Sequence, residues 1–385
     1  MPPAERTSWF ALKMVNGVGP VSFRELVDAL GSPHAVFNAS YAELLAVPGI
    51  NKKTAMGIKN FSQWKSAEKQ VEMLQQNDVE VVTYKDECYP QELSYIYDAP
   101  PLLFVRGKLA ANAVGIALVG SRRASEYGLQ ITNRIACQLA QKGITIVSGL
   151  ALGIDAAAHQ GAIAGRGKTV AVIGCGLDVI YPLENKRLFH KIPESGGAIV
   201  SEYFFGTPPN KENFPIRNRV ISGMSLGVVV VEATDKSGSL ITANIAAEQG
   251  REVFAVPGPI DSRGSRGTHL MLKKGAKLVE SVEDIIEEIL PQIDKKRIMG
   301  EKGGEMQPAA ALPNSVKRQQ QKLPLEASEE KLLSLIGREK KSLDEVVREA
   351  QVPAKDVLST LAVMEIKGLI KQLPGKMFVI GEENE

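Results

Sequence analysis

The sequence is short of the features that mark several large protein classes. Its three cysteines, Cys88, Cys137 and Cys175, are odd in number and far apart, which gives neither a disulfide framework nor the paired ligands of a zinc site. No apolar run approaches the eighteen or so residues that a membrane helix needs, so no membrane partner is expected. Met1 to Arg6 carries charge and prolines in place of a continuous apolar segment, so no secretory leader is expected and the cytoplasm is the expected compartment. The four histidines, His34, His159, His190 and His269, have no carboxylate or thiolate at ligand spacing, so no metal is expected. Net charge is also small: at +2 it excludes a chain that is basic throughout, and any surface for a polyanion must be a local patch.

What is present is a modular chain. At about 150 residues per domain, 385 residues suggest two or three. Residues 1–75 read as short helices joined by two similar turns, Val15-Asn16-Gly17-Val18-Gly19 and Val47-Pro48-Gly49-Ile50-Asn51. Each places a glycine between apolar residues, the pattern of a helix-hairpin-helix turn, which serves either DNA contact or helix packing alone. Over 76–290 the period changes. Apolar β-branched runs at Val79–Tyr84, Leu102–Val105, Gly115–Val119, Ile144–Ser148, Val170–Ile173, Ala198–Ser201, Val228–Val231 and Val253–Val256 are mostly separated by helical stretches in the later part. That alternation predicts an α/β fold, an extended Rossmann-like, doubly wound and mostly parallel sheet. Residues 291–326, rich in Lys, Gln, Pro and Gly, read as a linker. Residues 327–385 show three helical patterns, Glu329–Gly337, Ser342–Ala350 and Pro353–Lys367, and then a hairpin around Pro374-Gly375-Lys376, which together make a winged helix.

Ligands of such sheets sit beyond the carboxyl ends of the strands. There the run ending at Val119 meets Gly120-Ser121-Arg122-Arg123-Ala124-Ser125 before a helix, which offers amides, hydroxyls and guanidinium groups to a phosphate. Ser148-Gly149-Leu150-Ala151-Leu152-Gly153-Ile154-Asp155 and Gly174-Cys175-Gly176-Leu177-Asp178 follow strands on the same edge, so Gly149 and Gly174 are expected beside the same crevice. The segment from Lys211 to Arg219 holds three cations, an aromatic ring and side-chain amides. Phe214 suits stacking on an extruded base and Lys211 suits the backbone, the usual combination for single strands. Arg217 and Arg219 lie about 200° apart on a helix, so one should face the crevice while the other braces the fold. Ser239, at another loop-to-helix junction, and Lys273, in a basic stretch, are expected as additional phosphate contacts.

Enzyme look-alikes fail on context. Gly223-Met224-Ser225-Leu226-Gly227 matches G-x-S-x-G, but a helix precedes it and a strand follows, the reverse of a nucleophile elbow. Gly167-Lys168-Thr169 has alanine at position 162 where a P-loop needs glycine. Gly174-Cys175-Gly176 has Val179 in place of the third glycine of a dinucleotide fingerprint, so no nicotinamide or other cofactor is expected. A hydrolase splitting base from ribose phosphate would need a P-G-G-x-G-T-x-x-E loop, whereas this chain has Pro257-Gly258-Pro259 and no such glutamate. A structural adaptor for recombination proteins is the third reading, and salt-dependent DNA binding would speak against it.

Taken in order, G-S-R-R-A-S, S-G-L-A-L-G-I-D, G-C-G-L-D-V-I-Y-P, F-P-I-R-N-R-V-I-S-G, V-E-A-T-D-K-S-G-S-L-I-T-A and A-V-P-G over roughly residues 80 to 280 resemble the DNA-processing protein A family (DprA/Smf). The resemblance implies a single-stranded-DNA-binding protein without catalytic turnover. Such a protein dimerises, protects incoming DNA in natural transformation, and helps load the recombinase RecA while single-strand-binding protein is displaced. It further implies Gly120, Ser121 and Arg122 for phosphate and Lys211 and Phe214 for backbone and base, with Arg217, Asn218 and Arg219 shaping the pocket. The chain departs from the family pattern at Gly267-Thr268-His269, where an asparagine is expected. Its presumed recognition helix, Pro353–Lys367, has Lys355 and Lys367 against Asp356 and Glu365 and no arginine, which suits protein contact better than DNA reading.

Overall fold

The computed structural model describes residues 3–300 and, beyond them, 335, 341–350, 357, 361, 370–373 and 377–380. The chain divides into two compact units, Met1–Met306 and Gln307–Glu385.

The first unit opens with six helices: α1 (Pro3–Met14), α2 (Pro20–Leu30), α3 (Pro33–Asn38), α4 (Tyr41–Ala46), α5 (Lys52–Lys59) and α6 (Trp64–Gln76). Pro20 and Pro33 stand in the first turns of α2 and α3, where a missing N–H costs nothing. Ser40 and Glu43 close a capping box on α4. The two hairpin turns are built alike, with Gly17 at φ +91° and Gly49 at φ +78°, a conformation that glycine adopts without strain.

Nine strands follow: β1 (Glu80–Thr83), β2 (Leu102–Gly107), β3 (Gly115–Val119), β4 (Thr145–Ser148), β5 (Thr169–Ile173), β6 (Ala198–Ser201), β7 (Gly227–Val230), β8 (Glu252–Ala255) and β9 (Lys277–Leu278). They form one sheet in the order β1-β2-β6-β5-β4-β3-β7-β8-β9. Pairing is parallel from β6 through to β9, and antiparallel where β2 meets β1 and β6. All eight apolar runs are strands. The two-residue β9 at the edge has no run to announce it.

The helices between strands are α7 (Gln91–Ser94), α8 (Glu126–Gln141), α9 (Ile154–Ala164), α10 (Lys186–Glu194), α11 (Asn213–Gly223), α12 (Gly238–Glu248), α13 (Arg266–Lys273) and α14 (Val282–Gly300). Side chains alternate across the sheet as the pleat requires. In β3, Ile116 and Leu118 join Ile135 of α8, Ala158 of α9 and Ile285 of α14, while Ala117 and Val119 join Val220 of α11 and Ala243 of α12 on the other face. The helices change face at α11, which carries the chain from β6 back across to β7. The loops after β3 and β7 therefore part to opposite sides, the switch point of a doubly wound sheet.

Two expectations on domain limits meet the structure differently. The helices of residues 1–75 do not stand apart from the sheet, because Phe10 of α1 packs edge-on against Phe104 of β2 within one apolar cluster. The linker expected from residue 291 is helical through Gly300, since α14 continues past Pro291, with Ile285 and Ile289 buried in the two turns before it. The remainder of the expected linker lies outside the described residues.

In the second unit, β10 (Lys341–Ser342), β11 (Ile370–Leu373) and β12 (Met377–Ile380) form an antiparallel sheet in the order β10-β12-β11, with α15 (Leu343–Ala350) following β10. Leu373 of β11 pairs opposite Met377 of β12; the expected turn between them lies outside the described residues. The expected helices Glu329–Gly337 and Pro353–Lys367 fall largely outside the described residues.

Candidate nucleic-acid interface

Three loops at the carboxyl edge of the sheet and the first two turns of α11 enclose a small open cleft. Arg122 comes from the loop after β3, Gly149, Ala151 and Leu152 from that after β4, and Gly174, Cys175, Tyr181 and Pro182 from that after β5; Phe214 and Arg217 come from α11. Its volume of about 50 Å³ is far below the roughly 300–1,000 Å³ of sites that enclose small ligands. The cleft suits a group inserted from an open surface rather than a swallowed cofactor.

Phe214 is the centre of this arrangement. Half-buried, it has the Arg122 guanidinium 5.4 Å and that of Arg217 5.8 Å from its ring centroid, and the Tyr181 ring at 5.8 Å. Gly174 backs the ring: a Cβ there would stand 3.2 Å from Phe214 Cδ1. Asn213 holds the turn by donating its side-chain amide to the Gly174 carbonyl at 3.0 Å. Arg122 is exposed, so the cleft carries a solvent-facing cation beside a stacking surface; Lys211, three residues before Phe214, is exposed as well but does not line the cleft.

The two arginines of α11 divide as their angular separation predicts. Arg217 is buried at the floor of the cleft, where it donates from Nη1 to the carbonyls of Gly149, at 2.8 Å, and Val172, and from Nε to the side-chain oxygen of Asn218 at 3.2 Å. Burial pushes its pKa down to about 10, against the pull of the Asp155 carboxylate. Arg219 points away, donating from Nη2 to Glu202 at 2.6 Å and lying 3.2 Å from Asp98 through Nε. It braces the fold and takes no part in the cleft.

Asp155 was not singled out by sequence reasoning, though it belongs to a quoted motif. Its buried carboxylate accepts from the amides of Gly149 and Ala151 at 3.1 and 3.3 Å. Those amides flank Leu150, which sits at φ +59°, a conformation that costs a non-glycine residue of order 1–3 kcal/mol. The two charge-assisted bonds offset that strain and fix the loop that receives Arg217. Burial raises the Asp155 pKa, and Arg217 and the two amides hold it back. Tyr181 and Leu152 were likewise missed; only their positions in glycine-bearing loops could have suggested them.

Other expected residues have different duties. Gly120 is a packing glycine, because a Cβ there would lie 2.6 Å from Ile154 Cγ1. Ser121 is engaged internally: its hydroxyl accepts from the Arg123 amide at 3.1 Å and its own amide donates to the Glu232 carbonyl at 2.7 Å. Ser239 is buried in the first turn of α12, with its hydroxyl 2.8 Å from that of Ser237. Lys273 closes α13, which leaves the carboxyl edge of the sheet after β8 and returns toward β9. It therefore stands at the far end of that helix from the cleft. Cys175 lines the cleft, but burial pushes its thiol up to about 11, which removes the thiolate a nucleophile needs.

Residues 80–290 match the family described as DNA recombination-mediator protein A, residues 316–376 the DprA winged helix domain, and residues 11–61 a SAM-like helix-hairpin-helix tandem. Protein Smf of Escherichia coli (strain K12) is 40% identical over 352 residues, covering 90% of each chain. The DNA processing protein DprA of Streptococcus pneumoniae is 49% identical over 204 residues, 53% of this chain and 72% of that protein. The crystal structure of that species' DprA superposes with a TM-score of 0.58 at 36% identity, covering 74% of this chain and 97% of the other. A structure of Helicobacter pylori DNA processing protein A, described for its single-stranded DNA binding mode, gives a TM-score of 0.50 at 31% identity over 55% of this chain and 97% of the other. With the sheet domain, the winged helix and the helical tandem all matched in order, the chain belongs to the DNA-processing protein A family, DprA/Smf.

Proposed function

We propose that this protein binds single-stranded DNA without sequence preference along the carboxyl edge of its sheet, with Arg122 and Lys211 on the phosphates and Phe214 against a base. The observation that carries this reading is the placement of Phe214: a half-buried ring beside the guanidinium groups of the exposed Arg122 and the buried Arg217, in a cleft too small to enclose a nucleotide. Stacking tolerates every base because every base has a π-face, and the cations supply affinity that does not depend on sequence. The Helicobacter pylori relative, described for single-stranded DNA binding, supports the same ligand here.

The protein acts by binding and not by turnover. The Cys175 thiol that lines the cleft stays protonated, which makes it a poor nucleophile. As a family member it serves natural transformation from the cytoplasm as a homodimer, protecting incoming strands and helping RecA replace single-strand-binding protein on them. The test is a RecA strand-exchange reaction on single strands already coated with single-strand-binding protein. Added wild-type protein should shorten the lag, and Phe214→Ala should shorten it far less. Equal action by both would place the active surface elsewhere.

A further inference from the structure

Open sheets of this kind receive phosphates at the switch point, between the loops after the strands that part there and against the N-terminus of the first crossover helix. In this chain the protein fills that place itself. Glu232, two residues past the end of β7, accepts the Ser121 amide on its backbone carbonyl at 2.7 Å. Its carboxylate turns to the start of the sixteen-residue α8, where Oε2 accepts from the amide and the hydroxyl of Ser125, both at 2.9 Å. Ser125 Oγ in turn accepts from the Gly128 amide at 3.0 Å.

The space around the carboxylate is shaped to it from two sides. A Cβ at Gly128, in the first turn of α8, would collide with Oε2, and one at Gly264, in the loop after β8, would collide with Oε1. Two glycines from distant parts of the chain thus form a slot that only the glutamate occupies. Arg122, three residues before Ser125, turns away from this slot to Phe214.

We propose that Glu232 is a specificity-determining residue: an internal anion that closes the α8 N-terminus to free phosphate and nucleoside phosphates. The inference rests on reading the neighbouring cleft as a strand-binding surface. A mononucleotide brings one phosphate and one base, and with the α8 terminus closed it meets only the weak cation and stacking contacts of the open cleft. A strand sums several such contacts along its length, so closing the strong single-phosphate position favours polymer over monomer.

The test is thermal melting of the full chain in inorganic phosphate, then in thymidine monophosphate, against chloride at equal ionic strength. Wild type and Glu232→Gln, both with the slot filled, should melt at the same temperature in all three. Glu232→Ala and Glu232→Ser should melt lower in chloride and recover by about 3 °C in roughly 20 mM phosphate. Folded Ala and Ser variants that ignore phosphate would overturn the proposal. So would a wild type that phosphate stabilises as strongly, and that arm decides the matter even where neither small variant folds. No oligonucleotide enters the assay, so a failure of strand binding is read separately.

Discussion

Arg122 lies over the face of Phe214, its guanidinium carbon 5.4 Å from the ring centroid. The pair joins a solvent-facing charge to a stacking surface, so removing either partner should have a different electrostatic signature. Base–aromatic stacking contributes about 1–3 kcal/mol per base. Phe214→Ala should therefore weaken oligo-dT binding by roughly 5- to 150-fold. Because no phosphate contact is lost, the slope of log affinity on log salt should stay as in wild type. Phe214→Tyr should restore most of the affinity. Fluorescence anisotropy over a salt series reads both quantities.

Gly149→Ala tests the floor of the cleft. The added methyl would stand 2.7 Å from Arg217 Nη2, and Arg217 cannot easily yield because it is tied to the carbonyls of Gly149 and Val172. Overpacking of this kind costs about 1–3 kcal/mol. Chemical denaturation should show that loss with an unchanged slope on denaturant, together with weaker oligo-dT binding as Phe214 loses its neighbour's position.

Arg219 provides the contrast. Its ion pairs with Glu202 and Asp98 are directed away from the cleft, and Glu202 is also 3.7 Å from Lys13 of α1. Arg219→Ala leaves the largely buried Glu202 with the more distant Lys13 alone, a loss of about 3 kcal/mol for a broken buried pair. The variant should be less stable by denaturation and keep the wild-type salt slope for oligo-dT. A shallower slope would show that Arg219 touches phosphate after all.

His159 should make the fold acid-sensitive. Its ring is buried in α9, with Nδ1 2.7 Å from the Thr169 hydroxyl, and burial lowers its pKa from 6.5 to about 3. The unfolded chain takes up a proton below about pH 6.5 and the folded chain does not, so stability falls by about 1.4 kcal/mol per pH unit between those values. Its contribution is flat above pH 7. Melting of wild type and His159→Gln between pH 7 and pH 5 should show a steeper fall for wild type; parallel curves would exclude His159 as the cause.

Much of this architecture was legible because its signals are local. Strands buried on both faces read as apolar β-branched runs, and all eight such runs are strands, whereas β9, with both residues exposed, has no hydrophobic signature. The crevice loops were found by rule, since ligands gather at the carboxyl ends of strands. Phe214 and Arg122 emerged from the residue types such a place needs. What the sequence could not assign was which polar groups are already satisfied. Ser121 and Ser239 look like phosphate donors in a string of letters, but both are engaged within the protein. Asp155, Tyr181 and Glu232 went unassigned because their roles depend on Arg217, Phe214 and Ser125 respectively, distant in sequence, which only the folded chain brings beside them.

The most direct test of the central claim is anisotropy of labelled oligo-dT with wild type, Arg122→Ala and Lys211→Ala over a salt series, with duplex of equal length as comparator. Single strands should bind more tightly than duplex. Each substitution should weaken binding and reduce the salt slope by about 0.7, the share of one phosphate contact on a single strand. Wild type binding no better than the two variants, or duplex bound as tightly as oligo-dT, would contradict a single-strand site built on Arg122, Lys211 and Phe214.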